Sequence, residues 1–167
     1  MTFLLSIFNK FWVVFLLFTA FCSINAQGSK IDSLKTAYGN KTDMSSIKTL
    51  NRLCFKYAFN DKDSAFHYVN RSIDICKKKG YDSLRTEALN IKGIIYDIQG
   101  ETDSSEYYFL KTYNLSVEKG FKTYESFSIN NLGMMYWRRA DFNEALEFFF
   151  KALKFNEENE IVESVGS

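Results

Sequence analysis

Asn90, Gly93, Tyr96, Tyr108, Phe109 and Lys111 reappear forty residues later as Asn130, Gly133, Tyr136, Phe148, Phe149 and Lys151, with no gap between the copies. No other feature of the chain constrains its fold as much. A unit of this length is too small to bury its own apolar face and must cover it with a neighbour, so the chain is expected to form a row of stacked units. A weaker copy comes first: Leu53, Cys54, Tyr57, Ala65, Tyr68, Val69, Ser72 and Ile73 stand where the later copies put small and aromatic residues. Its second half lies one residue closer to its first half.

The spacing within each copy predicts two antiparallel helices. Gly133 and Ala145 are small because helices whose axes approach to about 8–10 Å need small residues where they touch, and Tyr136 and Phe149 fill the space beside them. The expected pairs are 44–60 with 62–78, 83–99 with 102–118, and 123–139 with 142–158. Gly80 and Gly120 are placed to end second helices in a left-handed turn. Asp141 with Glu144 reads as a capping-box-like helix start, and Asp61 with Ser64 as a weaker one. The chain contains no proline, which fits uninterrupted helices, and no strand is expected. Ahead of the pairs, residues 27–43 read as a short leading helix, Ile31 to Tyr38, and a polar loop.

The third copy, Ile129, Leu132, Gly133, Tyr136, Ala145, Phe149 and Ala152, resembles the tetratricopeptide repeat, a helix-turn-helix unit with a large residue, Leu-Gly, Tyr, Ala, Phe and Ala at set spacings. The resemblance covers about residues 45–158 and implies an all-α fold, a right-handed superhelical array of three helix pairs: 44–78, 83–118 and 123–158. Departures are Lys92 in place of Leu, Ser105 and Thr112 in place of two alanines, and a period of forty against the usual value of about 34. The extra length sits in longer second helices and in the joints at Gly80-Tyr81 and Gly120-Phe121. By resemblance, the chain is a non-enzymatic scaffold for a protein or peptide partner. Long-period exported arrays of this kind resemble the sensing regions of tetratricopeptide-containing histidine kinases and helix-turn-helix regulators, which implies signal input; the alternative is a freestanding periplasmic adaptor.

Residues 1–26 carry a different message. One lysine, Lys10, precedes the uncharged run Phe11 to Cys22, and Ser23-Ile24-Asn25-Ala26 ends in a small residue, which reads as a secretory signal peptide cleaved after Ala26. An uncleaved membrane anchor is the other reading, because no charge occurs between Lys10 and Lys30. Either way the chain is expected to be exported, periplasmic or membrane-associated. Contact with a membrane would come only through this segment or one downstream. Lys10 is the sole charge there, so cleavage leaves twenty residues of each sign, a balance with no attraction for nucleic acid. Of the three cysteines, Cys54 and Cys76 remain, about two helical turns too far apart for a disulfide in the expected hairpin.

At the other end, Glu160-Ile161 falls forty residues after Gly120-Phe121, so residues 159–167 read as the start of a further repeat or as a C-terminal cap. Phe150, Leu153 and Phe155 lie on the last helix, where such a cap would cover apolar surface.

No catalytic, metal or cofactor pattern is found. His67, the only histidine, has no cysteine or carboxylate spacing that would make it a ligand or a base. Asn-x-Ser/Thr triplets occur at Asn40, Asn70 and Asn114. The candidate site is a stripe along the first helices. Counting from Cys54, Gly93 and Gly133 puts Asn51, Asn90 and Asn130 at equivalent positions; Phe55, Ile94 and Met134 follow one turn on, with Trp137 and Arg138 beyond. Amides beside apolar anchors suit an extended peptide, since each amide can both donate to and accept from its backbone. The competing reading is that the asparagines satisfy hydrogen bonds between helices and the aromatics are core.

Overall fold

The computed structural model describes residues 34–36, 39 and 41–161. The expected signal peptide, most of the expected leading helix and residues 162–167 lie outside the described residues. Six helices follow one another: α1 (Met44–Tyr57), α2 (Lys62–Lys79), α3 (Asp82–Ile98), α4 (Thr102–Lys119), α5 (Lys122–Arg138) and α6 (Phe142–Glu158). A helical turn at residues 34–36 precedes them, and its Leu34 is buried with the α1–α3 core. No strand occurs among the described residues.

Each helix packs on the next, and among the first helices α1 also touches α3 and α3 touches α5. The second helices α2, α4 and α6 do not meet. α1, α3 and α5 thus line one side of the row and α2, α4 and α6 the other. α1 ends at Tyr57, short of residue 60, and Asp61 N–H bonds the Tyr57 carbonyl at 2.9 Å. In the later pairs the corresponding bonds run from Glu101 to Tyr96 and from Asp141 to Tyr136, each 3.0 Å and each one residue longer. That difference in turn is the missing residue of the first copy.

The joints between pairs repeat in detail. Gly80 and Gly120 adopt φ of 70° and 71°, and Tyr81 and Phe121 N–H groups reach back to the carbonyls of Cys76 and Ser116. Glu160 takes the same left-handed place at φ 52°, with Ile161 N–H bonded to the Asn156 carbonyl at 2.9 Å. The forty-residue register therefore holds through Ile161, although the third joint carries a residue that pays the steric cost glycine avoids.

Inside each pair one aromatic stack recurs. Tyr57 stacks on Tyr68, Tyr96 on Tyr108 and Tyr136 on Phe148, with centroids 5.6, 5.4 and 5.3 Å apart. Beside it the helices close on glycine: a Cβ added at Gly93 would lie 2.6 Å from the Phe109 ring, and one at Gly133 would lie 2.7 Å from Phe149. The first pair has Cys54 and Val69 at these positions, both fully buried, so a larger residue on one helix accompanies a smaller one on the other. Cys54 and Cys76 are both free thiols.

Of the two expected helix starts, one is corrected and one holds. Asp141 makes no capping bond to α6; its carboxylate pairs with Arg139 Nε at 3.1 Å. Asp61, expected to be the weaker start, accepts from Ser64 N–H at 3.0 Å and Ser64 Oγ at 2.6 Å, and Asp43 caps α1 through Ser46 in the same way. Lys92, a departure from the repeat, is also accommodated. Its Nζ sits 4.6 Å from the centroid of the Tyr108 ring and donates to Asn70 Oδ1.

Candidate functional site

A groove of about 380 Å³ runs across α1, α3 and α5. α1 contributes Asn51, Arg52, Phe55 and Lys56; α3 contributes Glu87, Asn90, Ile91 and Ile94; α5 contributes Tyr124 and Phe127. Phe55 and Phe127 are 44% and 41% exposed, so their rings are available to a ligand. Of the residues expected from sequence, the structure brings Asn51, Asn90, Phe55 and Ile94 together here. Asn130, Met134, Trp137 and Arg138 do not line it.

The asparagines do not form an open ladder. Asn51 is fully buried: its Nδ2 donates to the Leu84 carbonyl at 3.2 Å and to Glu87 Oε2 at 3.0 Å, and its Oδ1 accepts from Ser72 Oγ. One amide thus ties α1 to both α2 and α3. Asn90 is also buried, and its Oδ1 accepts from Asn131 Nδ2 at 2.8 Å across to α5. Asn131, not Asn130, completes that bond. These side chains serve contacts between helices, because a buried amide left unpaired is costly and the adjacent helix supplies the partner. Arg138 is likewise engaged, forming a charge pair with Asp97 on α3. Trp137 is the counterpart of Asp97 at the forty-residue period, so it points to the end of the row, where it meets Phe142 edge to face at 5.1 Å.

Sequence reasoning missed Glu87, Tyr124 and Phe127. The signal was one turn earlier: Lys48, Glu87 and Phe127 are equivalent at spacings of 39 and 40 and continue the stripe toward the helix starts. Burial pushes the Glu87 carboxyl above its ordinary value, against the bond from Asn51 and the charge of Lys48. Burial beside Glu87 pushes Tyr124 up to about 12, so its hydroxyl stays protonated at neutral pH. The floor therefore combines apolar side chains with one partly desolvated carboxylate, while Arg52 and Lys56 stand on the α1 side. Among the described residues no group of three His, Cys, Asp or Glu is placed to hold a metal ion.

Residues 128–158, covering most of α5 and α6, match the family model described as tetratricopeptide repeat. The chain carries a tetratricopeptide repeat. The matched segment contains Gly133, Tyr136, Phe148 and Phe149, and α3–α4 repeats its stacked ring pair and its glycine-to-phenylalanine contact. A tetratricopeptide repeat points to a protein-interaction scaffold. A search of curated proteins finds no match to the chain.

Proposed function

We propose that this tetratricopeptide array is a non-catalytic receptor for a peptide segment of a protein partner, held on the inside of a right-handed superhelix, and that it forms the extracytoplasmic sensing part of a signalling protein. The groove across α1, α3 and α5 carries the reading. It offers exposed aromatic rings over a partly apolar floor, and its amides are spent between helices. Anchoring thus falls to Phe55, Ile94 and Phe127, and a ligand's apolar side chains, not its backbone amides, would supply most of the affinity. Support for export comes from the sequence of residues 1–26. Support for sensing is the resemblance to long-period sensor arrays; a freestanding adaptor is what remains if no output domain is connected.

Selection from a displayed peptide library tests the groove. Phe127→Ala and Phe55→Ala should each weaken a selected peptide by about ten-fold or more while leaving melting nearly unchanged, since both rings are substantially solvent-exposed. Peptides that bind both variants as well as the parent would remove the groove from the account.

A further inference from the structure

The far side of α6 is the most apolar exposed helix face among the described residues. Phe142, Leu146, Phe150 and Leu153, spaced by four, four and three, are 51%, 48%, 67% and 54% exposed. Trp137, itself 53% exposed, extends the strip through its edge contact with Phe142. One repeat earlier, Glu106 and Tyr113, the counterparts of Leu146 and Leu153, are half-buried because α5 packs on α4. Leu146 and Leu153 thus continue a row of interfaces already present twice inside the molecule, and Phe150, whose counterpart Leu110 is 43% exposed, stands beside that row and widens its apolar surface.

We propose that this face binds a second copy of the chain, with the two α6 helices packed antiparallel about a two-fold axis near Phe150. The sequence of α6 is self-complementary in that arrangement. Phe150 meets its own copy, Leu146 lies near Leu153 of the other helix, and Glu147, on the Phe150 side of the strip, lies near Lys154. Glu147 and Lys154 are both exposed, so their charges flank the apolar seam instead of being buried in it. The helix-on-helix contact is small, near the ~1,000 Å² lower bound for specific association, and the dimer is accordingly reversible. The groove across α1, α3 and α5 stays open in both copies, giving a two-headed receptor.

Sedimentation velocity on the full chain, expressed with its N-terminal segment and purified as the host delivers it, tests this over roughly 1 to 300 μM. The expected result is a monomer–dimer equilibrium, with Trp137 emission moving to shorter wavelength as the dimer forms. Phe150→Glu should raise the dissociation constant about ten-fold or more with the helical circular dichroism intact. Glu147→Lys and Lys154→Glu should each weaken self-association, and an equal mixture of the two should restore it, because both flanking contacts again join opposite charges. The restoration keeps the test decisive should Phe150→Glu fold poorly, as both charged sites are solvent-facing. A monomer at every concentration, a dimer indifferent to Phe150→Glu, or a mixture no tighter than its components would overturn the proposal.

Discussion

Gly93 and Gly133 are required by distance. A methyl at Gly93 would stand 2.6 Å from the Phe109 ring, which is itself 1% exposed, so the ring cannot simply swing into solvent. Gly93→Ala gains up to about 1 kcal/mol in helix propensity but overpacks this contact at a cost of roughly 1–3 kcal/mol. A net loss of stability in urea is expected, and Phe109→Leu in the same chain should recover part of it. Ser105 makes the opposite case. Its Oγ is buried with no hydrogen-bond partner, at the position where the neighbouring pairs have Ala65 and Ala145. Ser105→Ala should therefore stabilise the chain by about 1 kcal/mol, read as a higher denaturation midpoint. Asn51→Ala strips an amide from three partners and should cost about 1–3 kcal/mol with an earlier melt. The small and aromatic residues that make these contacts were legible in sequence because sterics fixes their spacing. The asparagines were legible only as two competing readings, one of them the hydrogen bonds between helices that Asn51 and Asn90 make, because one helix's periodicity gives the angle of a side chain but not which neighbouring helix covers it.

At the scale of the helix, the first two starts differ from the other four. Asp43 and Asp61 cap α1 and α2 through Ser46 and Ser64, and those bonds hold both carboxyls below their ordinary value of 3.8. A carboxyl whose folded-state value is lowered contributes stability present above its unfolded value and lost as pH falls through the folded one. Tyr81, Glu101, Phe121 and Asp141, at the starts of α3 to α6, form no side-chain cap. As pH falls below the ordinary carboxyl value of 3.8, the first turns of α1 and α2 should lose hydrogen-exchange protection before those of α3 to α6. Asp61→Asn keeps a capping oxygen and should flatten that response in α2. Glu87 works with the opposite sign. Burial raises its carboxyl, so its burial costs stability above the folded value and acid relieves that cost. Asp141 shows why caps were harder to read than repeats: its sequence suits a cap, but Arg139 two residues earlier takes the carboxylate.

At the scale of the molecule, the described helices form a row whose first helices touch and whose second helices do not, and both candidate surfaces follow from that geometry. One surface is crossed by three helices and holds the groove; the other is the outward face of α6 with its apolar strip. The period exposed the row in the sequence, down to the one-residue contraction of the first turn between Tyr57 and Asp61. It did not separate the groove surface from the end. Trp137, expected inside, lies at the end because its counterpart one repeat earlier, Asp97, already faces the following pair through Arg138. Hydrogen–deuterium exchange of the chain with and without a library-selected peptide tests the central claim most directly. Added protection should fall on α1, α3 and α5 around Phe55, Ile94 and Phe127 and leave α2, α4 and α6 unchanged; protection confined to the second helices or to the α6 face would contradict it.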